Sequence, residues 1–315
     1  MNKRRSFIIG IKSTKLSIKE KTFLKNYKPW GVILFARNIR NIRQGQKLTS
    51  SIRNIFNDRK YPILIDQEGG RINRLKNIIS FENLTSEFFG KKYNTNQKEF
   101  KFFYKLFIDK TSFLLKSIGA NINTVPVLDL RNKGASNIIG NRSFSKDPKI
   151  VSKIGDYCIK HFHENGIGTI IKHIPGHGLA KVDSHHLTPF VNIKQKYLIK
   201  KDFAAFKNKK SFFAMTAHII FNKIDKNNPV THSKKLIRLI RNKIRFKNIL
   251  ISDDLSMKSL KGTLKENTIK MFSAGCNIAL HCNGNCKEME VVGKNSPLIN
   301  KFIFKKTSQF YKILS

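Results

Sequence analysis

Eight short apolar, β-prone runs recur along this chain: Phe7–Ile11, Trp30–Phe35, Pro62–Ile65, Ile122–Leu128, Thr169–Ile171, Phe212–Met215, Ile249–Ile251 and Asn277–Leu280. Their apolar residues are mostly continuous rather than alternating, as in strands buried on both faces of a parallel sheet. Parallel neighbours need long crossovers, and helix-like segments fill the gaps. Residues 44–58 carry Leu48, Ile52, Ile55 and Phe56 at helical spacing, and 98–118 carry Phe100, Phe103, Phe107 and Leu114. Asp147-Pro148 caps a predicted helix over 148–164 that stops at Gly166. Further helices are predicted over 233–245, from Ser233, and over roughly 298–313. Strands alternating with helices in this number predict the α/β class and a single (β/α)8 TIM-type barrel, residues 1–315 forming one catalytic domain. The last helix is expected to pack across that barrel. A doubly wound sheet is the runner-up, but no Gly-rich dinucleotide loop comes after the first run. Segment 76–95 is the least regular and is expected to form a long loop after the third strand.

The residues just beyond the runs point to function. Arg37-Asn38, Asp66-Gln67-Glu68, Asp129, Lys172-His173, His218, Asp253-Asp254 and His281 stand where the strands would end. A sheet buried on both sides has no structural need for ionisable groups there, whereas the C-terminal rim of a barrel is where its site is built.

Three motifs carry chemistry. Lys172-His173-Ile174-Pro175-Gly176-His177-Gly178 leads shortly to Asp183-Ser184-His185. Pro175 and Gly176 break the helix that would bring His173 and His177 onto one face for a metal, so no metal is expected. Acid/base work needs a histidine held by a carboxylate, which Asp183 and His185 supply locally; turn hydrogen bonding is the bland alternative. Ser252-Asp253-Asp254-Leu255-Ser256-Met257 sets two carboxylates at a strand end. Successive side chains diverge, so one can reach the barrel mouth as a nucleophile while the other is structural, for example as a helix cap. Asp66-Gln67-Glu68-Gly69-Gly70-Arg71-Ile72-Asn73-Arg74 joins acids and arginines suited to sugar hydroxyls, with an internal salt bridge accounting in part for Glu68 and Arg71.

These residues resemble the family 3 glycoside hydrolases, in particular the bacterial β-N-acetylglucosaminidases of peptidoglycan recycling. The resemblance runs from about Gly31 to Cys282. It includes Gly31–Asn38, Ile65–Arg74, Pro126–Leu130, Asn141–Phe144, Lys172–His185, Ala214–His218 and Ser252–Met257. It implies Asp253 as the nucleophile and His185, partnered by Asp183, as the acid/base. It implies sugar binding by Asp66, Arg74, Arg142, Lys172 and His173, with His218 and Met257 at the margin of that set. The implied substrate is a terminal β-linked N-acetylglucosamine on (anhydro)N-acetylmuramic acid, with or without peptide, hydrolysed with retention and without a cofactor. A glycoside phosphorylase is the variant reading, because a histidine acid/base would not repel phosphate. Ile174 replaces the usual Phe, and Asn141 replaces a common acidic residue.

Composition bears on partners. Lys and Arg number 61 against 20 Asp and Glu, a net charge of +41, yet the basic residues are spread along the chain. Lys, Asn, Ile and Phe all have A/T-rich codons, so a composition bias accounts for much of the charge. A nucleic-acid-binding protein is the rival reading, but no recognition motif accompanies the charge. The expected partner is a small carbohydrate, with no specific nucleic acid, no membrane and a monomeric state. Cys158, Cys276, Cys282 and Cys286 form no disulfide framework, and the apolar stretch after Lys3-Arg4-Arg5 is shorter than a signal-peptide core. The expectation is a soluble cytoplasmic protein.

Overall fold

The computed structural model describes residues 3–132, 134, 137–180, 182 and 188–314. Its strands are β1 (Arg5–Gly10), β2 (Pro29–Leu34), β3 (Ile63–Ile65), β4 (Ile122–Asn123), β5 (Gly168–Ile174), β6 (Phe190–Val191), β7 (Phe213–Thr216), β8 (Ile220–Phe221), β9 (Ile249–Asp254) and β10 (Ile278–His281). Eight of them close a barrel in the order β1-β10-β9-β7-β5-β4-β3-β2, every pair parallel. The short β6 and β8 pair separately. The chain is therefore a (β/α)8 barrel.

The helices are α1 (Ile18–Tyr27), α2 (Ile42–Phe56), α3 (Ser86–Thr95), α4 (Gln97–Ser117), α5 (Pro148–Glu164), α6 (Gln195–Lys200), α7 (Lys234–Leu239), α8 (Leu264–Ala274), α9 (Cys286–Asn295) and α10 (Lys301–Tyr311). Local chemistry starts several of them. Ser17 with Glu20 and Thr263 with Glu266 are capping boxes, and Asp147 caps α5 ahead of Pro148.

Alternation along each strand explains the continuous apolar runs. Ile8, Ile33, Leu64, Ile170 and Phe213 fill the barrel interior, while their neighbours Phe7, Val32, Ile63, Ile171 and Ala214 meet the surrounding helices. The N-terminal mouth is shut by α10, whose Ile303 and Phe310 join the interior cluster. The Trp30 indole donates to Thr307 Oγ1 at 2.9 Å, and Phe310 packs on Phe213 at 5.4 Å between ring centroids. One mouth is plugged, so the site must use the other.

The structure corrects three local expectations. Segment 76–95 is not one long loop, because Ser86–Thr95 forms α3, with Thr85 accepting from the Phe88 amide. Gly90 hides this helix in the sequence, and it is required by tertiary contact. A Cβ there would stand 1.7 Å from the Phe144 carbonyl oxygen. The run Ile122–Leu128 forms a strand over Ile122–Asn123 and then, past Pro126, which has no amide to offer a ladder, pairs again only as a bridge between Val127 and Lys172. The helix predicted over 233–245 ends in a π-helical turn over Ile240–Ile244. No helix among the described residues is long and apolar enough to cross a membrane.

Candidate active site

A pocket of about 200 Å³ opens at the C-terminal ends of the strands. Asp66 and Arg74 reach it from the segment after β3, Thr124 from the end of β4, and Lys172 and His173 from β5. Asp253 enters from β9, Met257 from the turn beyond it, and Arg142 from the loop that precedes α5. Phe35, Ile138, Ile139 and Met215 add apolar wall. One floor of mixed charge and one apolar side give a pocket suited to a small ligand rich in hydroxyls.

A buried ionic network forms the floor. Lys172, 2% exposed, places its ammonium 2.5 Å from both Asp66 Oδ1 and Glu68 Oε1. Asp66 also accepts from Arg74 at 2.8 Å and from the Thr124 hydroxyl at 2.6 Å. Arg142 grips Glu68 with two parallel bonds, from Nε at 2.8 Å and Nη2 at 2.7 Å. Burial alone would raise the Asp66 carboxyl pKa. Lys172, Arg74 and Arg142 overcome that and hold it well below the usual carboxylate range. Glu68 is likewise lowered by Arg142 and Lys172 against the pull of burial. Both stay ionised, and Asp66, which lines the pocket, presents a fixed acceptor there. The expected internal bridge between Glu68 and Arg71 does not occur among the described ion pairs. Arg71 instead donates to the carbonyls of Asn137, at 2.7 Å, and Ile138, fastening the loop that forms the apolar wall.

Asp129, fully buried, positions the histidine segment. It accepts from the His173 amide at 3.1 Å, from His173 Nδ1 at 2.7 Å and from the His177 amide at 2.6 Å. The carboxylate against Nδ1 fixes the orientation of the His173 ring, which lines the pocket. Burial raises the Asp129 carboxyl pKa, and His173 reverses the shift, leaving it below the ordinary value. Asp129 is visible in the sequence as a strand-end acid, but its partner lies 44 residues away.

The two carboxylates of β9 have separate fates. Both line the pocket, and the Asp254 amide donates to Asp253 Oδ1 at 2.8 Å. Asp254 accepts from the Ser256 amide at 3.0 Å and hydroxyl at 2.9 Å, and from the Cys282 amide at 3.4 Å. It anchors the turn after β9 rather than capping α8, a role that Thr263 performs. His218 is fully buried and does not line the pocket. Its Nδ1 meets the Thr231 hydroxyl at 2.7 Å, and its Nε2 meets the Asp254 carbonyl at 3.1 Å. Desolvation lowers its pKa, so a neutral ring donates to that carbonyl and braces the turn carrying Asp253. Asp183 and His185 lie outside the described residues. The segment leading to them, His177 to Ala180, sits at the rim beside Asp129.

Comparison with known proteins decides the family. The glycosyl hydrolase family 3 N-terminal domain matches residues 8–301. The chain belongs to the family 3 glycosyl hydrolases. A β-hexosaminidase of Hydrogenovibrio crunogenus is 31% identical over 293 residues, 91% of this chain and 81% of that protein. The β-hexosaminidase of Haemophilus influenzae is 31% identical over 287 residues, 88% and 79% of the two chains. The crystal structure of NagZ from Neisseria gonorrhoeae in complex with N-trifluoroacetyl-D-glucosamine superposes with a TM-score of 0.86 at 27% identity, over 98% of this chain and 90% of that one. This family 3 hydrolase is accordingly a glycosidase of the β-N-acetylhexosaminidase class.

Proposed function

We propose that this β-N-acetylhexosaminidase removes terminal, non-reducing β-linked N-acetylglucosamine from peptidoglycan fragments in the cytoplasm, with net retention. The carrying observation is the Asp253 carboxylate, which lines a small pocket beside Asp66, Arg74, Arg142 and Lys172, all already held by ion pairs. Asp66, Arg74, Arg142, Lys172 and His173 bind the sugar hydroxyls and N-acetyl group, and Met257 packs on the ring. Their mutual ion pairs keep them fixed before substrate arrives, which reduces the ordering cost of binding.

Asp253 attacks the anomeric carbon while His185, protonated, donates to the leaving oxygen. The C–O bond to the leaving group breaks as the bond to Asp253 forms. His185 then takes a proton from water, which displaces Asp253 and returns the free sugar in its original configuration. Asp183 holds the imidazole in the tautomer this exchange needs. A histidine suits both steps because its ordinary pKa of about 6.5 lies near working pH.

The test is turnover of an aryl β-N-acetylglucosaminide, with and without added phosphate, for the native chain and for Asp253→Asn. Free N-acetylglucosamine, unchanged by phosphate and reduced at least about 10³-fold in the variant, is the expected result. Sugar 1-phosphate as the main product would replace the water step by phosphorolysis. Near-native turnover in Asp253→Asn would refute the assignment of the nucleophile.

A further inference from the structure

Helix α4 presents an apolar stripe to solvent. Phe102, Phe103, Leu106 and Phe113 are 66%, 44%, 56% and 59% exposed. Their spacing of three, four and seven residues sets them along one face of a helix roughly 30 Å long. The opposite face, with Phe100, Tyr104, Phe107, Leu114 and Leu115, is buried against the barrel. Large apolar side chains exposed singly are ordinary, but Phe102, Phe103 and Leu106 adjoin one another with Phe113 two turns on, and such a grouping on one face marks a surface that something covers.

The charge around the stripe identifies what covers it. Lys98, Lys101, Lys110 and Lys116 are exposed and in no ion pair among the described residues. The acids of this helix are already taken, Glu99 by Lys92 and Asp109 by Lys105, each at 2.5 Å. An apolar ridge rimmed by ammonium groups complements a surface that is anionic at its face and apolar just beneath. A second copy of the chain is a poor occupant, because two such faces would bring like charges together on proteins of +41 each.

We propose that the outer face of α4 docks this enzyme on anionic lipid bilayers, with the four apolar side chains entering the interface and the lysines meeting headgroup phosphates. The expectation from sequence of no membrane partner treated the charge as dispersed; α4 sets four of these lysines beside its own apolar stripe. Because α4 runs along the flank of the barrel, docking there leaves the C-terminal mouth open to substrate. Docking of this kind does not depend on which glycoside the enzyme cleaves.

The experiment is sedimentation of the full chain with vesicles of phosphatidylcholine alone and of phosphatidylcholine mixed with phosphatidylglycerol. The comparison is a variant carrying Phe102→Ser, Phe103→Ser, Leu106→Ser and Phe113→Ser, which keeps every charge. The native chain should bind the mixed vesicles and not the neutral ones, and the variant should bind at least about tenfold more weakly. Turnover of the aryl glycoside should be the same for both, which shows that the variant is folded. A Phe113→Trp reporter should shift its emission to the blue on mixed vesicles, against the constant signal of the buried Trp30. Equal binding by native chain and variant would assign retention to bulk charge and overturn the proposal. So would failure to bind anionic vesicles, or a concentration-dependent dimer that the four substitutions abolish.

Discussion

Replacing Lys172 with methionine removes the ammonium that lies between the Asp66 and Glu68 carboxylates while keeping most of the side-chain volume. In the native chain that group is 2.5 Å from both Asp66 and Glu68 and 3.1 Å from the Thr124 hydroxyl. Without it, Glu68 keeps Arg142 and Asp66 keeps Arg74 and Thr124, so neither acid is abandoned, but each loses its more buried partner. Breaking a buried pair from one side costs about 3–5 kcal/mol, and the surviving arginines place this case at about 3. The pH dependence arises from the same contacts. Asp66 and Glu68 have lowered pKa values in the folded chain. They contribute stability that is present above the unfolded carboxylate pKa, about 4, and lost as pH falls through the lower folded values. The substitution raises both folded values and removes much of that contribution. The gap between native and variant stability should therefore be at its full size from pH 7 down to about pH 4 and shrink on acidification below that. Urea unfolding of both proteins at several pH values measures it. Adding Glu68→Gln to the Lys172→Met background should recover stability, by a coupling on the order of 1 kcal/mol. A loss under about 1 kcal/mol at pH 7, or a gap independent of pH, would refute the account of the network.

Asp129→Asn should lower kcat/KM by about 10–100-fold, because an amide cannot accept from both the His173 ring and the two backbone amides. His163 is kept neutral by burial, its pKa pushed down to about 4, beside the Thr169 hydroxyl at 2.9 Å. Since the unfolded imidazole titrates near 6.5, stability is lost as pH falls from about 6.5 to 4, by up to roughly 1.4 kcal/mol per pH unit. A His163→Gln variant should show a flatter dependence of its urea midpoint over that window. Gly90→Ala should destabilise by more than about 2 kcal/mol despite the better helix propensity of alanine, since its Cβ would collide with the Phe144 carbonyl. A thermal melt unchanged by this substitution would mean that α3 and the Phe144 loop separate freely.

Local pattern was enough for most of the architecture. The run Ile249–Ile251 is a strand because every residue is apolar, and it is fully buried because interior and exterior neighbours both demand that. Asp147-Pro148 starts α5 by a local hydrogen bond from the Lys149 amide. The polar residues after each run could be recognised as a rim because only closure of a barrel brings eight strand ends together. The local pattern could not show which charge holds which. Glu68 has Arg71 three positions away, yet pairs with Arg142, 74 residues on, and with Lys172. His218 is a strand-end histidine like His173, but faces Thr231 and the Asp254 carbonyl and supports the turn after Asp253 from behind. Gly90 lowers the helical signal of α3 for the sake of a neighbour 54 residues away, and α4 is amphipathic inward while carrying a second apolar stripe outward. Strand and helix formation rest on contacts and hydrogen bonds within a few residues, which a sequence records directly. The partner of a buried charge is whichever opposite charge the closed barrel brings within reach, and that depends on the positions of all the strands at once.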